Sequence, residues 1–176
     1  KLNDQTIIVN GVSKTYSMTG WRIGFTACDA AVSKAISSMQ SHATSNPNTI
    51  AQYAAQSAYE HEEGEAFLRE MRESFDRRRK LIMAKLDEIP LLSYVRPDGA
   101  FYIFVSVEKV LGKSYDGVKI NSALDFANIL LDKKDVTVIP CESFGADGYI
   151  RLSYAISDED IVKGVERIGE FIAHTN

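Results

Sequence analysis

Cysteine is scarce in this chain of 176 residues: Cys28 and Cys141 are the only two. Their separation fits neither a disulfide framework nor a metal-ligand or redox spacing. Both lie in apolar, strand-like stretches, where a thiol reads as a small buried side chain. Histidine is nearly as sparse, and His42, His61 and His174 are too scattered to form a ligand set, so no metal is expected. Long hydrophobic runs are missing too. No stretch approaches the ~20 apolar residues of a membrane span, and the amino terminus has no signal-peptide pattern. No membrane partner is expected, and the reducing cytoplasm is the expected compartment. An excess of positive charge is also lacking: 20 Lys and Arg face 24 Asp and Glu, a net charge of -4. That balance speaks against nucleic acid as a partner. The one basic cluster, Arg77-Arg78-Arg79-Lys80, is ringed by Glu70, Glu73, Asp76, Asp87 and Glu88 and reads as a solvated helix face.

What is present is the balance of an ordinary globular protein, 45% hydrophobic and 25% charged. A chain of this length buries roughly 70% of its unfolded surface, enough for a real core. Residues 6–9 and 21–28 read as buried strands around the polar loop 10–20. Residues 30–39 read as a short helix. Asn46 as N-cap and Pro47 at the first helical position then open a long helical stretch reaching Ile89, bent near Gly64. Phe67, Met71, Phe75, Ile82, Leu86 and Ile89 fall on one face of it. Two apolar runs, 91–95 and 100–107, flank the turn Arg96-Pro97-Asp98-Gly99 as a hairpin. Residues 122–134 follow as a helix with Leu124, Ala127 and Leu131 on its apolar stripe. A strand over 136–139 is stopped by Pro140, and 149–154 is another. The last helix opens on Ser157-x-x-Asp160 and carries Ile161, Val165, Ile168 and Ile172. From residue 77 onward the chain thus reads as an α+β unit with helices over one face of a small sheet. The first apolar strand lies so near the start that the sequence is expected to be part of a longer protein.

Most of the chemical content sits in Asn10-Gly11-Val12-Ser13-Lys14-Thr15-Tyr16-Ser17-Met18-Thr19-Gly20-Trp21-Arg22-Ile23-Gly24. This is a loop between strands, where α/β proteins bind ligands. It holds one lysine and, eight residues on, one arginine. The apolar neighbours Val12, Tyr16, Met18 and Trp21 are expected to strip water from Lys14, which makes its amine a better nucleophile. Arg22 offers a rigid fork of donors suited to a phosphate. A reactive amine beside a phosphate clamp is what an aldehyde cofactor bearing a phosphate requires. Most Lys–Arg pairs in loops are merely solvated, so the pair alone does not decide.

The full string decides more. Ser13-Lys14-x-x-x-Met18-Thr19-Gly20-x-Arg22-x-Gly24 resembles the pyridoxal-phosphate attachment site of the class I and II aminotransferases, enzymes of fold type I. Pro97-Asp98-Gly99-Ala100-Phe101-Tyr102 is similar to the family's hairpin near the substrate. Pro140, Phe144-Gly145 and Tyr149-Ile150-Arg151-Leu152-Ser153-Tyr154-Ala155 resemble the segment with the substrate-binding arginine. The resemblance runs from Thr6 to Phe171 and is nearest to the bacterial aspartate and aromatic aminotransferases.

That resemblance implies the carboxy-terminal part of an α/β fold. Residues 1–46 would end the large cofactor-binding domain, 47–76 would be a connecting helix region, and 77–176 a small α+β domain. It implies pyridoxal 5'-phosphate as the cofactor, carried on Lys14 as a Schiff base, with Arg22 gripping the phosphate and Ser13 adding a contact. Arg151 would hold the α-carboxylate of the substrate, and Phe101 would wall its pocket. The partners implied are an amino acid (aspartate or a similar or aromatic one), a 2-oxo acid, and a second copy of the chain in a homodimer. Family members carry several cofactor contacts upstream of the lysine: an aspartate for the pyridine nitrogen, an Asn and a Tyr for the ring hydroxyl, and a Gly-rich phosphate segment. Here only 13 residues precede Lys14. Transamination is therefore expected of the full-length protein, and this chain alone is expected to be inactive. Two other readings share the attachment site: a carbon–sulfur lyase or decarboxylase of the same fold, and the cofactor-sensing domain of a transcription regulator. The Met-Thr-Gly-Trp-Arg string together with the Arg151 segment favours transamination.

Overall fold

The first strand pair is tied off by two glycines. β1 (Ile8–Gly11) runs antiparallel to β2 (Gly24–Ala27), with Ile8 opposite Ala27 and Gly11 opposite Gly24. A Cβ on Gly11 would lie 2.9 Å from the Ile23 carbonyl oxygen, so only glycine permits the backbones to close this tightly. The computed structural model describes residues 5–176; the polar lead-in, residues 1–4, lies outside them. Among the described residues β1 and β2 pair only with each other, and β2 is exposed along its whole length. The expectation of buried strands therefore fails for this chain. A strand is buried by what covers its faces, and neither strand has a third partner here. Trp21, expected within the second strand, lies instead in a 3-10 turn, Thr19–Trp21.

Between the strands lies one turn of helix, α1 (Val12–Thr15). After them come α2 (Ala30–Thr44), α3 (Thr49–Glu60) and α4 (Glu62–Asp87). α2 outruns the expected end at residue 39 because nothing in Gln40-Ser41-His42-Ala43-Thr44 opposes a helix; Ser45, at φ 67°, ends it. The cap of α3 is Asn48, not Asn46: its Oδ1 accepts from the Ala51 N–H at 3.0 Å. The helical stretch breaks at His61, not at Gly64. His61 is extended (φ -83°, ψ 136°), and Gly64 then packs so closely that a Cβ would meet the Ala58 carbonyl oxygen at 2.6 Å. Gly64 is the residue that accommodates the break, not the break itself.

The chain divides into two compact units, Lys1–Met71 and Arg72–Asn176, with the boundary inside α4. The second unit is built on a sheet of order β3-β4-β8-β7. Its strands are β3 (Ser93–Val95), β4 (Tyr102–Ser106), β7 (Ile139–Pro140) and β8 (Tyr149–Ser153), all antiparallel to their neighbours. A small ribbon, β5 (Ser114–Tyr115) and β6 (Val118–Lys119), precedes α5 (Ala123–Lys134), and α6 (Asp158–Ala173) closes the unit. The strands alternate. Ile103, Val105, Ile150 and Leu152 point inward and join Ile82 and Leu86 of α4, Phe126 and Leu130 of α5, and Ile161, Ile168 and Phe171 of α6 in one core. Pro140 sits on an edge strand, where its missing N–H leaves no ladder bond unmade.

Three sequence expectations change in this unit. The strand read over 136–139 and stopped by Pro140 is Ile139–Pro140, with the proline inside it on the sheet edge. The buried stripe of α5 is Ala123, Phe126, Ala127 and Leu130, while Leu124 and Leu131 are half exposed. Both sets have helical spacing, and the larger aromatic takes the core side. The basic cluster is not simply solvated. Arg77 and Arg78 pair with Asp158 at the start of α6. Arg79 pairs with Asp76 at 2.7 Å and donates to the Pro97 carbonyl at 3.1 Å, with its side chain only 15% exposed.

Candidate functional site

Val12 anchors the first cluster. It is fully buried, and its N–H reaches the Ile23 carbonyl at 3.4 Å, which ties α1 to the entry of β2. A helix turns about 100° per residue, so burying Val12 turns Lys14 to the opposite side. Lys14 is accordingly exposed, and Ser13 is half buried. Three of the neighbours expected to dry Lys14 are engaged elsewhere or open to water: Val12 is buried beneath α1. Tyr16 packs edge-on against Tyr59 at 4.9 Å, and Trp21 is 45% exposed. Among the described residues, Lys14 thus keeps access to water.

Arg22 occupies a left-handed backbone conformation, φ 55°, ψ 44°, at the end of the 3-10 turn. That conformation costs a non-glycine residue about 1 kcal/mol or more, and such strain gathers at functional sites. Its Nη1 donates to the Thr19 carbonyl at 2.9 Å, which pins the guanidinium back over its own turn. Ser13, Lys14 and Arg22 line one hollow of about 400 Å³ together with Asn10, Gly11, Thr15, Ile23 and Gly24. A primary amine, a guanidinium and a hydroxyl around one hollow are a donor set that fits an aldehyde bearing a phosphate. In such a set the amine would meet the carbonyl carbon, and the guanidinium and hydroxyl would meet the phosphate oxygens. Gly24 closes the string singled out in the sequence, whereas Gly11, its partner across β1 and β2, lies outside that string and lines the hollow as well.

Arg151 belongs to the second unit. It lies on β8, opposite Phe104 on one side and Ile139 on the other, on the outer face of the sheet. Its guanidinium carbon lies 4.5 Å from the Tyr102 ring centroid and 5.3 Å from that of Phe144. Both rings belong to motifs already singled out, but neither drew attention as a neighbour of Arg151, because neither the β4–β8 register that brings Tyr102 nor the fold of the turn that brings Phe144 is visible in one sequence. Phe101 is half buried, stacks on Phe75 at 5.9 Å, and packs against the core. Ala100 next to it is held at φ 60°. The buried Tyr154 hydroxyl secures that turn, donating to the Ala100 carbonyl at 3.1 Å, while the Tyr154 N–H donates to the Phe101 carbonyl at 2.9 Å. Burial raises the Tyr154 hydroxyl above its ordinary pKa, which keeps it a proton donor. Burial likewise raises the Cys141 thiol, against the pull of Arg151, so it stays neutral.

Three comparisons bear on these clusters. The family model "Aminotransferase class I and II" matches residues 1–168. The aspartate aminotransferase of Streptomyces avermitilis is 46% identical over 173 residues, covering 98% of this chain and 42% of the relative. The probable aspartate/prephenate aminotransferase of Aquifex aeolicus is 44% identical over 163 residues, covering 93% of this chain and 40% of the relative. Among solved structures, the aspartate aminotransferase of Rhizobium meliloti superposes with a TM-score of 0.93 at 40% identity, over 99% of this chain and 44% of that one. The chain thus spans 42% and 40% of the length of these two curated relatives.

Proposed function

Because the chain belongs to the class I and II aminotransferase family, we propose that the full-length protein moves an amino group between an amino acid and a 2-oxo acid. The amino acid is aspartate or a similar or aromatic one, as the names of the relatives suggest. Pyridoxal 5'-phosphate is the cofactor, and when bound it supplies the electron sink that a deprotonated α-carbon needs. The observation that carries this reading is the shared hollow of Ser13, Lys14 and Arg22.

Each side chain has one task. The Lys14 amine holds the cofactor between turnovers. With the substrate's amino group in its place, the freed Lys14 Nζ would take the proton from the substrate α-carbon and pass it on to the cofactor carbon. Arg22, pinned by the Thr19 carbonyl, grips the phosphate, and Ser13 adds its hydroxyl. Arg151 takes the α-carboxylate bidentately, which orients the α-carbon, and Phe101 walls that pocket. Residues 1–46, 47–76 and 77–176 serve as the end of the large domain, the connector and the small domain. The working form is a homodimer in the cytoplasm.

The test is borohydride reduction of the full-length protein with its cofactor, which fixes the cofactor to the amine that carries it. Peptide mass mapping should place the label on Lys14. A label on Lys34, Lys80 or Lys133 with Lys14 unmodified would overturn the proposal.

A further inference from the structure

The two rings beside Arg151 raise a question that its role as a carboxylate ligand leaves open: what holds the guanidinium in place. An arginine on a sheet surface is ordinarily either solvated or paired with a carboxylate. Here the neighbours are aromatic: Tyr102 at 4.5 Å and Phe144 at 5.3 Å from the guanidinium carbon. The ring positions follow from the fold. Tyr102 pairs with Ser153 across β4 and β8, so it stands diagonal to Arg151 on the same outer face. Phe144 ends the 3-10 turn Glu142–Phe144, which the Glu142 carboxylate fastens to the α5 amino terminus through the Leu124 N–H at 3.0 Å. Tyr102 is fixed from behind by the turn that Tyr154 secures at Ala100.

We infer that Tyr102 and Phe144 are positioning residues that clamp Arg151 for carboxylate binding. A ring attracts the cation through its π-face without accepting the in-plane N–H donors, whereas a carboxylate neighbour would occupy those donors and cancel the charge. An arginine held by rings keeps its fork for an incoming carboxylate. Held by an aspartate, it would have to exchange one carboxylate for another. The clamp rests on the reading of Arg151 as the carboxylate ligand, and it adds the means by which the charge stays available.

The experiment uses full-length protein and the variants Tyr102→Leu, Tyr102→Phe and Phe144→Leu. Steady-state kinetics with aspartate and 2-oxoglutarate should show KM rising about fivefold in either leucine variant, with kcat changed less than twofold. Tyr102→Phe keeps the face and should match the wild type within twofold. The second readout needs no activity: the side-chain proton resonances of Arg151, assigned by comparison with Arg151→Lys, should be ring-current shifted in the wild type and move toward ordinary values in Tyr102→Leu. An unshifted wild-type resonance overturns the clamp. So does a Tyr102→Phe variant as impaired as Tyr102→Leu, or a loss in kcat with KM unchanged. Absence of transamination by the wild type would sink the proposed function instead, and the resonance would still decide the clamp.

Discussion

Arg22 caps a turn just before β2, Arg151 sits in the middle of β8, and their surroundings differ accordingly. Arg22 is bent back over a strained turn, with one donor committed to the Thr19 carbonyl. Arg151 stands on a regular strand with rings for neighbours. Arg22→Ala in the full-length protein should therefore weaken retention of the cofactor. Arg151→Ala should spare the cofactor and damage substrate handling. A contact of this kind is worth roughly 1.5–3 kcal/mol, or about 10- to 100-fold in affinity. Titration of each apo variant with pyridoxal phosphate separates the two, and equal losses would mean the division is wrong. The candidate site residues stand out in the sequence because they fall in long, specific strings. Their supports do not. Tyr102 meets Arg151 through strand register, and Phe144 and Tyr154 reach Arg151 and Ala100 from beyond the strands, neither of which one sequence displays.

At the scale of elements, legibility tracked how completely an element is buried on one side. The stripe of α6 was readable because Ile161, Val165, Ile168 and Ile172 all enter the core. α5 offered two candidate stripes, and only packing chooses between Leu124 with Leu131 and Phe126 with Leu130. The break between α3 and α4 was placed at the glycine because glycine is the stronger local signal, while the backbone turned at His61. The basic cluster misled for a related reason. Arg79 reads as a surface charge in sequence, yet it bridges α4 to the β3–β4 turn, with Asp76 as its counter-ion. Hydrogen bonds from Lys80 and Arg79 hold the Asp76 carboxyl below its ordinary value of 3.8. Its folded-state pKa is thus the lower one, so its contribution to stability is present above the ordinary carboxylate range and fades as pH falls through the folded value. Asp76→Asn should therefore melt below the wild type at pH 7, and the two curves should converge below about pH 4. A melting-temperature series from pH 7 to pH 2 checks this, and a gap independent of pH would assign the loss to packing.

At the scale of the whole molecule, the two units differ in how much core each has. Among the described residues, the buried hydrophobics of the first unit are Val12, Ala51 and Ala55, while Val9, Met39, Ile50 and Tyr53 are more than two-thirds exposed, at 76%, 75%, 74% and 69%. Small buried side chains contribute little, and large exposed ones favour association. The second unit closes its own core around Phe126, Ile150, Ile161 and Phe171, each nearly inaccessible to solvent. Hydrogen exchange on this 176-residue chain should accordingly show slow amides in β4, β8 and α6 and fast ones in β1, β2 and α2. Phe126→Ala should cost about 3–5 kcal/mol and collapse protection in the second unit. The Lys14 hollow lies in the first, so the chain by itself should give no tight pyridoxal-phosphate absorbance band, and sizing chromatography should show it self-associating through its open apolar surface. A monomer that binds the cofactor tightly would contradict this, and would mean that Ser13, Lys14 and Arg22 need less support than their exposure implies.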